Sequence, residues 1–120
     1  MTMIKGPDFS KKDRDVLLVK LPDGAGGSVE IAVLPPTKNV LDKVKALAEA
    51  IDAVTTGDME PQDFDIAMAV EVCAEAMSRN TRYTKIDADT LDDIGFDIED
   101  VGEFIAAYIT FIAALVEAKN

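Results

Sequence analysis

The chain has 120 residues, 48% of them hydrophobic and 29% charged, with 12 Lys and Arg against 23 Asp and Glu for a formal net charge of −11. That length suits one domain at ~100–200 residues per domain, and the charge excludes nucleic acid or an anionic membrane as the expected partner, since both are approached through basic side chains. Without histidine and with a single cysteine, the chain cannot build a Cys/His zinc cage, a Ser-His-Asp triad or an internal disulfide; the expectation is a non-enzymatic, acidic domain of intracellular type that takes no cofactor.

Residues 1–15 mix Gly, Pro, Lys and Asp without an apolar period and predict a flexible arm, and the apolar run that a secretory signal needs does not come after Lys5. A single α+β domain is expected over 16–120. It opens with a β-hairpin over 16–34, in which Val16-Leu17-Leu18-Val19-Lys20-Leu21 and Ser28-Val29-Glu30-Ile31-Ala32-Val33-Leu34 flank a link carrying Pro22, Gly24, Gly26 and Gly27. Val29, Ile31 and Val33 alternate onto one face.

A mainly helical body of about three helices is expected over 37–118. Pro35-Pro36 stops the second strand, Thr37 or Asn39 can cap the first helix, and Val40, Leu41, Val44, Leu47, Ala48, Ile51 and Val54 form an apolar stripe that ends at Thr55-Thr56-Gly57. A second helix is expected to begin near Pro61 to Asp63, with Phe64, Ala67, Val70, Cys73, Ala74 and Met77 on its inner face. Asp89 to Gly95 reads as a single helical turn capped by Asp. Asp97 can then cap a last helix whose stripe is Ile98, Val101, Ile105, Tyr108, Ile112 and Leu115. Phe104, Ile109, Phe111 and Val116 widen that stripe, so the helix is expected to be buried on more than one side and to need an intermolecular contact, self-association among them.

Its longest apolar run, Phe104 to Val116, falls short of the ~20 residues that span a bilayer. Cys73 sits among apolar neighbours and reads as a small core hydrophobe. Charge divides unevenly: residues 1–45 carry eight basic and six acidic groups, net +2, and residues 46–120 carry four and seventeen, net −13. An acidic body of this kind serves solubility or recruits a basic helical partner. The carboxylates Asp87, Asp89, Asp92, Asp93, Asp97 and Glu99 fail the spacing of a calcium loop and read as helix caps, so no metal is expected. Gly24 to Ser28 leads into a strand-like run rather than a helix, which argues for a hairpin loop over a phosphate cradle.

Three stretches carry a family likeness: Ala67–Arg79, then Tyr83-Thr84-Lys85-Ile86-Asp87-Ala88-Asp89-Thr90-Leu91, then Gly95-Phe96-Asp97-Ile98-Glu99-Asp100-Val101 leading into Phe104-Ile105. With the order hairpin, helix, helix, acidic turn, apolar helix, the chain resembles the tail assembly chaperones of long-tailed phages. The resemblance implies a protein that binds the elongated tape measure protein, keeps it soluble and promotes assembly of the tail tube protein around it. It implies a place in the host cytoplasm and absence from the finished particle. Partner-binding residues expected on this basis are Phe104, Tyr108, Phe111, Ile112 and Leu115 on the last helix, with Asp92, Asp93, Glu99 and Glu103 as the acidic part. Two other classes stay open: a small structural adaptor of the head–tail completion kind, and an acidic regulatory binding module.

Many members of that family have a longer second product made by a −1 ribosomal frameshift. Ala118-Lys119-Asn120 permits the codons GCA-AAA-AAC, which contain the slippery heptamer A-AAA-AAC. The protein sequence permits the slip without requiring it, and the coding sequence decides: the heptamer with an open −1 frame beyond it supplies the longer product, and AAG or AAT at these codons removes the mechanism.

Overall fold

The computed structural model describes residues 3–4 and 15–118. Most of the arm expected over 1–15, and Lys119 and Asn120, lie outside the described residues.

Alternating side chains fix the hairpin. Strand β1 (Leu17–Pro22) pairs antiparallel with β2 (Ser28–Val33), with Leu17 opposite Val33, Val19 opposite Ile31 and Leu21 opposite Val29. Leu21, Ile31 and Val33 are buried, and Leu18, Lys20 and Glu30 point outward. The Asp23 carboxylate closes the link by accepting from the amides of Ala25 at 2.8 Å and Gly27 at 3.0 Å, and these two bonds hold its pKa below the usual value.

Helix α1 (Lys38–Thr56) starts where Thr37 Oγ1 accepts from the Val40 amide at 3.3 Å. It stops at Gly57, whose φ of 85° is open to glycine at little cost and lets its amide reach the Val54 carbonyl. Val40, Val44 and Leu47 form its buried stripe, as their spacing predicts.

The second helix departs from expectation in two ways. Pro61–Asp63 makes only a 3₁₀ turn; Phe64 and Asp65 are extended, and α2 (Ile66–Ser78) begins where the Asp65 carboxylate accepts from the Met68 amide at 3.0 Å. Proline suits either start, and the capping carboxylate decides between them. The buried set is also wider than the predicted stripe. It comprises Ala69, Val72, Cys73, Ala74, Ala76 and Met77, while Ala67 is exposed. The reason is that β2, α1, α3 and α4 all pack against α2. The helix surrounded by neighbours is therefore α2. The last helix, expected in that role, buries one narrow stripe.

Residues 88–93 form a short helix, α3 (Ala88–Asp93), where a single helical turn was expected over Asp89 to Gly95. Its cap is Asp87, two residues before the expected Asp89: its carboxylate accepts from the Thr90 amide at 2.8 Å and from the Thr90 hydroxyl at 2.7 Å, and both bonds lower its pKa. Leu91 drives the inner side of α3 into the core, and Gly95, at φ 78°, turns the chain into α4 (Ile98–Ala118). The fold is α+β, a hairpin leading into helices.

Because small side chains let four elements reach α2, enlarging one should strain the core. Ala76→Leu is expected to lower stability by about 1–3 kcal/mol, read as a reduced urea midpoint at unchanged slope.

Candidate functional site

The fourth helix gathers most of the expected partner-binding residues, and its start is built by two carboxylates. Asp97 accepts from the amides of Glu99 at 3.0 Å and Asp100 at 3.1 Å, while Asp100 accepts from the Asp97 amide at 3.0 Å. This reciprocal cap satisfies donors that a helix start otherwise leaves open, and it places negative charge at the positive end of the helix dipole. Glu99 and Glu103 are exposed, as are Asp92 and Asp93 on α3. All four expected carboxylates thus face solvent.

The aromatic and aliphatic residues divide differently. Val101, Phe104, Ile105 and Tyr108 are buried at steps of three and four. Phe104 stacks on Tyr108 with ring centroids 5.4 Å apart, and the Tyr108 hydroxyl donates to the Leu34 carbonyl at 3.3 Å. Phe104 and Tyr108, expected at a partner face, are core residues: the hairpin and α2 leave room for both rings on the inner side of α4. Past Tyr108 the cover thins. Phe111, 6.2 Å from Tyr108 between ring centroids, Ile112 and Leu115 are partly buried, and Val116 is 57% exposed. Ile98, expected in the buried stripe, stands exposed in the first turn.

Beside α4 lies a feature that periodicity does not show. A groove of about 340 Å³ runs between β1 and the first half of α4, with Leu17, Val19, Met77 and Phe104 among its walls and Lys20, Asp100 and Glu103 lining it as well. Glu103 and Phe104 are the two expected site residues that line this groove. Its apolar wall comes from Leu17, Val19 and Leu21, which alternate along β1; its opposite wall depends on where α4 passes the hairpin.

A second missed feature is the connection from α2 to α3. Asn80 is 2% exposed, and its side chain is saturated: Nδ2 donates to the carbonyls of Met77 at 2.9 Å and Thr84 at 2.7 Å, and Oδ1 accepts from the amides of Arg82 at 3.1 Å and Thr84 at 3.0 Å. The Ser78 hydroxyl spans the loop's base: its one proton is shared between the Ala74 carbonyl at 2.8 Å and the Ile86 carbonyl at 2.7 Å, and its oxygen accepts from the Ile86 amide at 2.9 Å. Backbone bonds tie the loop to the end of β2: Leu34 donates to Arg79 at 2.7 Å, and Thr81 to Ala32 at 3.1 Å. At its tip Tyr83 has φ 57° and is 90% exposed. The signal for this loop was the Ser-Arg-Asn-Thr sequence, polar residues able to bond their own backbone.

Burial pushes the Cys73 thiol up to about 12 and keeps it a core group, as its neighbours predict. Among the described residues, no group of three or more His, Cys, Asp or Glu side chains is placed to hold a metal ion, and no helix is long and apolar enough to cross a membrane. No family model, curated protein or solved structure matches this chain.

Burial raises the Tyr108 pKa from 10.0 to about 12, and that of Cys73 from 9.0 to about 12. Each group ionises more readily in the unfolded chain, so stability is full below the unfolded values and declines as pH rises from 9 towards 12. Unfolding titrations should show this alkaline loss, and Tyr108→Phe should make it shallower above pH 10.

Proposed function

We propose that this chain is a tail assembly chaperone of the long-tailed phage kind, which binds the tape measure protein and holds it soluble while tail tube subunits assemble around it. The observation that carries the reading is the division of α4 at Tyr108: the helix is built into the core up to that residue, then continues with Phe111, Ile112 and Leu115 only partly covered and Val116 in solvent. Apolar surface left outside the core of a small protein favours a partner's apolar face. At the other end of the same helix, Glu99, Glu103 and the neighbouring Asp92 and Asp93 supply charge complementary to basic residues of an elongated helical partner. The groove beside Glu103 offers one apolar side chain of such a helix a place to enter. The protein would act in the host cytoplasm and leave before the particle is complete.

The test is co-expression with the tape measure protein encoded beside it. The tape measure protein should remain soluble with the wild-type chain and precipitate without it, and purified particles should lack the chain by mass spectrometry. A tape measure protein equally soluble in both cases, or the chain retained in particles, overturns the reading. Val116→Asp, at an exposed position, should change stability by no more than about 0.5 kcal/mol and weaken capture about tenfold. Glu99→Lys with Glu103→Lys should mainly slow association and reduce its dependence on salt.

A further inference from the structure

Between residues 46 and 118 the chain carries three cations, Arg79, Arg82 and Lys85, against seventeen carboxylates. All three cations fall in the connection from α2 to α3 whose tip is Tyr83. Arg79 is turned inward, its Nε donating to the Pro35 carbonyl at 3.0 Å. Arg82 and Lys85 are exposed, flank Tyr83, and form no ion pair among the described residues.

The loop is built as well as charged. A saturated Asn80, the Ser78 clasp and the backbone bonds to β2 hold it from three directions. Those restraints keep Tyr83 in left-handed backbone, which disfavours a bulky residue, with its ring out of the core. Glycine or asparagine would fit that backbone at lower cost. The core thus has no use for the ring, whereas an exposed tyrosine beside arginine on a rigid loop has the composition of an interface anchor.

The next element in the chain has the opposite charge. Asp89, Asp92 and Asp93 are all exposed, and their i, i+3, i+4 spacing sets them on one side of α3. A basic loop leading directly into an acidic helix face is self-complementary: a two-fold axis can lay each loop on the other copy's α3, satisfying both contacts at once. We infer that the Arg82-Tyr83-Thr84-Lys85 loop docks on the Asp89, Asp92 and Asp93 face of a second copy of this chain, forming a symmetric dimer. The inference stands apart from the tape measure reading and holds or fails without that protein.

Sedimentation velocity over a concentration series tests it on the purified chain. The wild type should pass from monomer to dimer, more weakly as salt rises. Tyr83→Gly should weaken the dimer about tenfold while leaving the melting temperature unchanged or raised, a combination that a purely structural Tyr83 would not give. R82E/K85E and D92K/D93K should each be monomeric alone, because both contacts become repulsive. Mixed in equal amounts they should form a heterodimer, since each loop then meets a helix face of opposite charge. A wild type that stays monomeric throughout, a dimer untouched by R82E/K85E, or charge-reversed variants that fail to pair on mixing while each still folds by circular dichroism, overturns the inference.

Discussion

The structure depends on how little space α2 occupies. Four elements, β2, α1, α3 and α4, pack against a helix of 13 residues, and such an approach from several sides is open to a helix whose buried positions are mainly Ala and Cys. Ala69, Cys73, Ala74 and Ala76 let neighbouring backbones come close, and Val72 and Met77 fill what remains. An Ala-rich helix also loses little side-chain entropy on burial. The larger hydrophobes are contributed by its neighbours: Leu47 from α1, Leu91 from α3, Phe104 and Tyr108 from α4, Ile31 and Val33 from β2. The core is one small hub with large side chains reaching toward it.

The same arrangement explains where polar chemistry is confined. Asn80 is the one polar or charged residue among the described buried positions, and its four hydrogen bonds leave no side-chain donor or acceptor idle. It sits at the end of α2, where the chain must leave the hub, cross the end of β2 and return to α3. Replacing a backbone ladder with one amide side chain lets the turn stay short. It also couples the hairpin to the helices, because the segment that Asn80 organises bonds to Ala32 and Leu34. The Lys43–Glu75 ion pair at 2.8 Å ties α1 to α2, but both groups are well exposed, and such a pair contributes little beside the packing.

Much of this was legible before the structure. The stripe of α1 with its Gly57 stop and the capping use of Asp97 follow from local chemistry, because each depends on neighbours within four residues, and the hairpin follows from two apolar runs around a Gly-rich link; the cap of α3 fell to Asp87 in place of Asp89. The α2 stripe was drawn too narrow, with Ala67 wrongly included, because periodicity assumes one buried side and α2 is approached from several. Phe104 and Tyr108 were placed at a surface for the converse reason: a surplus of apolar residues on α4 does not say which of them the hairpin will cover. That depends on where α4 passes the hairpin, set by pairings distant in sequence such as the Tyr108 hydroxyl on the Leu34 carbonyl, 74 positions apart. The four carboxylates were easier, since Asp and Glu at caps and on outer helix faces have few alternatives to solvent.

The division of α4 links its two ends. An isolated helix shorter than ~12–15 residues is marginal in water because its first turn must be ordered for a single hydrogen bond. The stretch from Ile109 to Ala118 is below that length, and only part of its apolar surface is covered. Its helicity is therefore inherited from the first half, where the Asp97–Asp100 cap nucleates the helix and Val101, Phe104, Ile105 and Tyr108 anchor it. The partly covered residues beyond Tyr108 hang from a helix already started by the core. A partner of the kind proposed would need to supply only apolar contact, because the ordering cost falls mainly within the fold itself. The acidic cap and the apolar end thus act as one device: the carboxylates that begin the helix also hold in shape the surface some three turns further on.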